Sequence, residues 1–376
     1  MTCSMHMHGI TVLPASLSQQ CRNEPDATKG SNTMAGELEF GLDTFGDVTR
    51  AQDGGAVPYP QVIRNVVAEA VLADQVGIDF IGLGEHHRDD FAVSAPETVL
   101  AAIAGQTSRI RLGSAVTVLS SDDPVRVYQR FATLDAVSNG RAEVILGRGS
   151  FTESFPLFGY DLSDYERLFE EKLDLFSELI KEGPVTWSGS TRPGLNAHEV
   201  YPKTEGGRLK TWIGVGGSPE SVVRAARYGM PLMLAIIGGD PARFAPYVEL
   251  YHRALTQLEQ PTLPIGVHSP GYIADSDEQA REELWPDNRI MRDRLGRERG
   301  WGPTSRAEFD READSGSLYV GSPETVATKI VSTVRTLGID RFDMKYSAGP
   351  LPHENLMHSI ELYGTKVIPM VREMLA

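Results

Sequence analysis

The sequence predicts an α/β fold, a closed (β/α)8 barrel of TIM type with long insertions after strands four and seven. Three observations predict it. Short apolar runs rich in Ile, Val, Leu and Phe alternate with stretches of helical periodicity from residue 37 onward, the pattern of a parallel sheet buried on both faces. Eight such units fit into roughly 330 residues, which favours a barrel over an open doubly wound sheet. The phrase "VGIDFIGL" returns far downstream as "LGIDRFDM", with Gly77 and Gly338 at the same helix-stop position.

The elements follow in order. "LEFGLD" (38–43) is the first strand, and a helix from about Pro60 carries Ile63, Val66, Val67, Ala70 and Val71 on one stripe. Gly77 ends that helix and "IDFIGLG" is the second strand. "IRLGSAVTVL" (110–119) is the third, followed by Asp123-Pro124, a good N-cap and first helical residue. Val127, Phe131 and Leu134 line the next helix, as core or as a subunit interface, before Asn139-Gly140 stops it. "AEVILGR" (142–148), "TWIGVG" (211–216), "PLMLAII" (231–237), "LPIGVHSPGYIA" (263–274) and "DRFDMKY" (340–346) complete the set. Two excursions are surplus to a minimal barrel. One spans Gly149 to Lys210, with a helix near 163–182, and the other is a densely charged stretch from about Asp275 to Ser322. Long excursions of this kind commonly form lids or binding loops.

Bulk composition narrows the function. Thirty-six basic against 51 acidic residues give a net charge of −15, which disfavours nucleic acid and anionic membrane as partners. No apolar run approaches a membrane span. Cys3 and Cys21 are the two cysteines, so the barrel offers no thiolate site or disulfide framework. Residues 1–36 lack periodicity and a signal-peptide pattern; the expectation is a disordered tail ahead of a domain at 37–376, and a cytoplasmic protein.

Three segments carry candidate chemistry. "GLGEHH" ends the second strand with Glu85, His86 and His87, where a barrel places its site. Adjacent side chains in extended chain point to opposite faces, and no HExxH spacing occurs, so a shared metal is disfavoured. A histidine oriented by Glu85 or another nearby carboxylate is the leading reading; histidines that only bond neighbouring loops are the other. "WIGVGGSPESV" (212–222) puts Gly216-Gly217 at a strand end, Ser218 at a cap and Ser221 in the first turn, an arrangement suited to an anion. "GSPETV" (321–326) uses the same cap chemistry with no evident phosphate role. In "ILGRGSF" (145–151), Arg148 stands at the barrel mouth, free to meet a phosphate or to bridge an acid such as Glu153.

Taken together, "GLGEHH", "RIRLGSAVTVLSSDDPVRVYQRFATLDAVSNGR", "EVILGRGSFTESFPLFGYD", the "WIGVGGSPESVVRAARYGMPLML" block and "VGSPETVATKI" resemble the bacterial luciferase-like family of flavin-dependent monooxygenases. The resemblance implies a barrel that binds reduced FMN supplied by an NAD(P)H:flavin reductase. It also implies that O2 reacts with the flavin to a C(4a)-peroxyflavin, which oxygenates a small organic substrate. By position it implies acid–base work for His86, phosphate contacts from Arg148, Gly216, Gly217, Ser218 and Ser221, and a cis peptide at Ala115–Val116 under the flavin ring. Ser120 and Ser121 would flank that ring. Asp43, Thr44, Phe45, Glu85 and His87 would line the substrate side, and the chain would pair as a homodimer. Gly217 departs from the luciferases, which place an acid there, so light emission and long-chain aldehyde use are not implied. A deazaflavin-dependent hydride-transfer enzyme on the same barrel, a non-catalytic flavin-binding protein and, last, a metal-dependent barrel hydrolase are the competing readings.

Overall fold

In the computed structural model, residues 37–51, 53–149 and 151–376 are described. The expected tail, with both cysteines, lies outside them. Eight parallel strands form a closed ring: β1 (Glu39–Thr44), β2 (Phe80–Leu83), β3 (Arg111–Ser114), β4 (Ala142–Gly147), β5 (Lys210–Val215), β6 (Leu232–Ala235), β7 (Ile265–Ile273) and β8 (Arg341–Lys345). Each pairs with the next, and β8 returns to β1 with Gly41 beside Asp343 and Asp43 beside Lys345. This closure removes both edges of the sheet and decides for the barrel against the open alternative. All eight predicted strands are present.

The helices form for the reasons the sequence offers. Asp123 Oδ1 accepts from the backbone N–H groups of Val125 and Arg126 at 2.9 and 3.2 Å, and Asn139 ends that helix in the left-handed region at φ 56°. Val127, Phe131 and Leu134 are buried in the chain's own core, which resolves their role as core. Gly77 and Gly338 both stop helices at positive φ, 86° and 61°, a conformation in which a Cβ is strained.

The two insertions are built as expected in place but richer in structure. The first contains the helix Tyr165–Leu179 and an antiparallel hairpin of Val185–Trp187 with Leu195–His198. The second contains the helices Asp277–Arg299 and Arg306–Ser315 and the short strand Tyr319–Gly321. Side chains of both insertions line one cavity at the C-terminal ends of the strands.

Inside the barrel, the end away from that cavity is filled by a buried ion network. Arg341 binds Glu143 and, through Nε at 2.7 Å, Asp343, while its guanidinium stacks 3.6 Å from the centroid of the Phe80 ring. Trp212 Nε1 donates to Glu143 at 3.3 Å. Fully buried charge is tolerated only when paired in this way.

Candidate active site

The cavity has a volume of about 450 Å³, within the range of small-molecule and cofactor sites. Its floor includes the Ala115–Val116 step, which is cis. The step breaks β3, and Thr117–Val118 then continue beside Leu146 and Gly147 of β4. One wall comes from the end of β2, where Gly84 has no room for a side chain because a Cβ would lie 2.2 Å from the Phe45 ring. That contact brings Phe45 against His86, with ring centroids 4.6 Å apart at an interplanar angle of 83°. Phe91 and Phe151 pack on the same imidazole, each with its centroid at 4.8 Å.

His86 is oriented by a carboxylate, but not by Glu85. Its Nδ1 lies 3.1 Å from Glu153 Oε1. Burial acts to raise the Glu153 carboxyl, and the His86 hydrogen bond and neighbouring backbone N–H groups more than offset it, leaving Glu153 below the usual carboxylate range. An ionised carboxylate only accepts, so Nδ1 carries the proton and Nε2 is the nitrogen left to exchange one. Glu85 instead receives His87 Nε2 at 2.8 Å and the Val118 backbone N–H at 3.3 Å, tying the β2 loop to the segment after the cis step.

Arg148, Gly216 and Ser221 line the same cavity. Ser218 caps the helix Pro219–Arg227 by accepting from the Ser221 N–H at 3.3 Å, and Arg224 Nη1 donates to Ser221 Oγ at 3.2 Å. Arg148 bridges Glu166, not Glu153, and lies over the Tyr165 ring at 5.3 Å. Glu166 is largely exposed, 65% at the side chain, so this partner yields readily to a ligand anion. A cationic guanidinium, a serine hydroxyl and the start of a helix together make a donor set for a phosphate.

The structure thus gathers Asp43, Phe45, Glu85, His86, Ala115, Val116, Arg148, Gly216 and Ser221 around one cavity. Gly217 and Ser218 adjoin it in the chain without lining it. Thr44, His87, Ser120 and Ser121 do not line it either. Thr44 is buried and shares a hydrogen bond with Ser347 at 2.8 Å, while His87 faces Glu85 and the Phe158 ring. Ser121 Oγ donates to Val118 O, and the Ser120 carbonyl accepts from the buried Lys172 at 2.6 Å. Sequence reasoning missed Glu153 as the partner of His86, and it missed His268, Met291 and Arg292, which also line the cavity. A histidine inside the apolar run "IGVHSPGYIA" was a signal available for His268. Among the described residues, no three His, Cys, Asp or Glu side chains gather to hold a metal ion, and no helix is long and apolar enough to cross a membrane.

The profile of the luciferase-like monooxygenase family matches residues 43–341, most of the chain and nearly the whole barrel. The chain belongs to the luciferase-like monooxygenase family. Among relatives in this family, the alkanal monooxygenase alpha chain of Photobacterium leiognathi is 24% identical over 347 residues, covering 84% of this chain and 95% of its own. Two solved structures share the fold. One is the FMN complex of the oxygenating constituent of 3,6-diketocamphane monooxygenase from Pseudomonas putida, with a TM-score of 0.71 and 20% identity over 89% of this chain and 98% of that one. The other is the coenzyme F420 dependent tetrahydromethanopterin reductase of Methanopyrus kandleri, at 0.65 and 19% over 89% and 99%.

Proposed function

We propose that this protein is an FMN-dependent monooxygenase, which takes reduced flavin and O2 and oxygenates a small organic substrate. The carrying observation is one cavity lined by the Ala115–Val116 step and by two differently equipped groups of residues. One group offers Arg148, Ser221 and a helix start, and the other a histidine whose Nδ1 is fixed by a carboxylate. The residues present fit the cofactor. Arg148, Ser221 and the backbone at Gly216 would hold its phosphate, and Ala115 and Val116 would support its ring. Bound reduced flavin would supply the electrons that activate oxygen.

The protein's own residues do the rest. Glu153 keeps the His86 ring in one tautomer, so Nε2 can take or give a proton beside the reacting centre. Phe45, Phe91 and Phe151 exclude water around that nitrogen, which strengthens its electrostatic effect. A separate reductase would deliver the flavin, and the same proposal includes pairing of two copies, checked by light scattering at working concentration.

The deciding experiment is anaerobic titration with reduced FMN, followed by rapid mixing with O2 under absorbance detection. An absorbance transient distinct from both reduced and oxidised flavin supports the proposal. Tight binding with reoxidation no faster than free flavin would overturn it in favour of hydride transfer, the chemistry of a deazaflavin enzyme on this barrel.

A further inference from the structure

One polar pair in the cavity has no part in that reading. His268 stands on β7, and its Nδ1 lies 2.6 Å from Oδ2 of Asp43, a fully buried residue on β1. The strand between them, β8, sets Asp343 beside His268 and Lys345 beside Asp43. Both of those charges are engaged elsewhere. Asp343 holds Arg341, and Lys345 donates to Asp47 Oδ2 at 3.1 Å and to Ser347. The adjoining strand β6, LMLA, carries no charge. The carboxylate of Asp43 therefore fixes the Nδ1 proton of His268, and Nε2 has no hydrogen-bond partner among the described residues. The other oxygen of Asp43, Oδ1, is buried and equally without one.

Buried polar groups are nearly always satisfied, and both residues line the cavity. A buried carboxylate oxygen without a partner, beside a part-buried imidazole whose Nε2 is unpartnered at the cavity, therefore points to a ligand. Burial acts to lower the His268 pKa, and the Asp43 charge outweighs it and leaves it raised, so the ring is a donor at Nε2 over a wider pH range than a free imidazole. His86 and the pair have different carboxylate partners, Glu153 for His86 and Asp43 for His268. The pair is a second, distinct polar station.

Resting on the reading of this cavity as the substrate site, we propose that His268, positioned by Asp43, hydrogen-bonds through Nε2 to a neutral hydroxyl or carbonyl oxygen of the substrate. A carboxylate is a poor match. The pair is neutral overall when His268 is protonated, and the unsatisfied Asp43 Oδ1 repels a second anion. Phe45, Met233, Ile237, Met291 and Leu295 also line the cavity and suit an apolar body behind that oxygen.

The test uses the full chain without flavin, so its outcome is independent of the oxygen experiment. Histidine-labelled protein is titrated with phenol, benzaldehyde and benzoate, and the ring C–H resonances are followed by NMR, with His268→Gln assigning the signal. The expected result is that phenol or benzaldehyde shifts the His268 resonance and benzoate does not. The responding probe should bind at least ten-fold more weakly to His268→Gln than to the parent. Its affinity should fall as pH rises through the His268 titration, and Asp43→Asn should move that fall to lower pH. No response of His268 to phenol or benzaldehyde, a His268 response to benzoate instead, or unchanged affinity and pH profile in His268→Gln would each overturn the proposal.

Discussion

At the scale of single residues, His86 and Arg148 separate chemistry from binding. Replacing His86 with Ala should leave reduced-FMN affinity within a few-fold and lower turnover by roughly 10²–10⁴-fold, the usual worth of a positioned acid–base group. Glu153→Gln keeps a hydrogen-bonding partner but removes the charge, so its loss of turnover should be smaller and in the same direction. Single-turnover reoxidation with each variant checks both, and equal rates in parent and His86→Ala would remove His86 from its role. Arg148→Ala should weaken FMN by about 10- to 100-fold, from the roughly 1.5–3 kcal/mol of a charged hydrogen bond, while riboflavin, which lacks the phosphate, loses little. Equal losses for the two ligands in equilibrium titration would make Arg148 structural. The residue types at this site were legible as a strand-end histidine and a mouth arginine. Their partners were not, because the helical periodicity near 163–182 does not say where the insertion carrying Glu153 and Glu166 meets the strand ends, and nearness of Glu153 to Arg148 in sequence suggested the wrong pair.

At the scale of elements, the helix Asp277–Arg299 is tied across the end of β2 by ion pairs. Arg88 reaches Glu298 at 2.6 Å, and Arg294 contacts Asp89 and, at 3.4 Å, Asp90. The same helix contributes Met291, Arg292 and Leu295 to the cavity, so these pairs hold one wall of the site against the loop that carries His86. Exposed pairs contribute about 0.2–1 kcal/mol each and are screened by salt. Flavin release, followed by stopped-flow fluorescence, should therefore quicken several-fold between low and high salt, and Arg294→Gln should remove part of that dependence. A salt-independent release rate in the parent would show that the pairs do not hold the wall. The charge density of this insertion was plain in the sequence. Its seat over the second strand was not, since Arg88 and Glu298 are 210 residues apart.

At the scale of the whole molecule, the barrel was legible because strands that are mostly apolar runs, alternating with helices, need no partner information to be recognised. Its closure depends on contacts the pattern does not contain. Arg341 on β8 joins Glu143 on β4 through the barrel interior, and neither charge looked structural in a one-dimensional reading. Arg341→Met should cost about 3–5 kcal/mol by stranding a buried carboxylate, measured by thermal or denaturant unfolding. Burial acts to raise the Glu143 carboxyl, and Arg341, with Lys210 and Arg111, outweighs it and holds it at about 2. A depressed carboxylate stabilises the fold above its ordinary pKa and loses that contribution as pH falls through the folded value. The Glu143 contribution to the parent's stability should therefore be full at neutral pH and be lost as pH falls from about 4.5 toward about 2, the ordinary and folded values of Glu143, while Arg341→Met, without the depressing guanidinium, loses less over the same window. A gap unchanged across that window would mean that Glu143 is not the carboxylate left stranded.

The pairing of β8 with β1 also bears on how the protein is made. Residues 39–43 wait for residues 341–345, so a nascent chain emerging from the ribosome carries an unfinished sheet with two bare edges for most of its synthesis. Lys345 and Asp343, which complete the cavity, arrive with that last strand. Fragments stalled before residue 341 lack the strand that joins β7 to β1 and present open strand edges suited to chaperone binding.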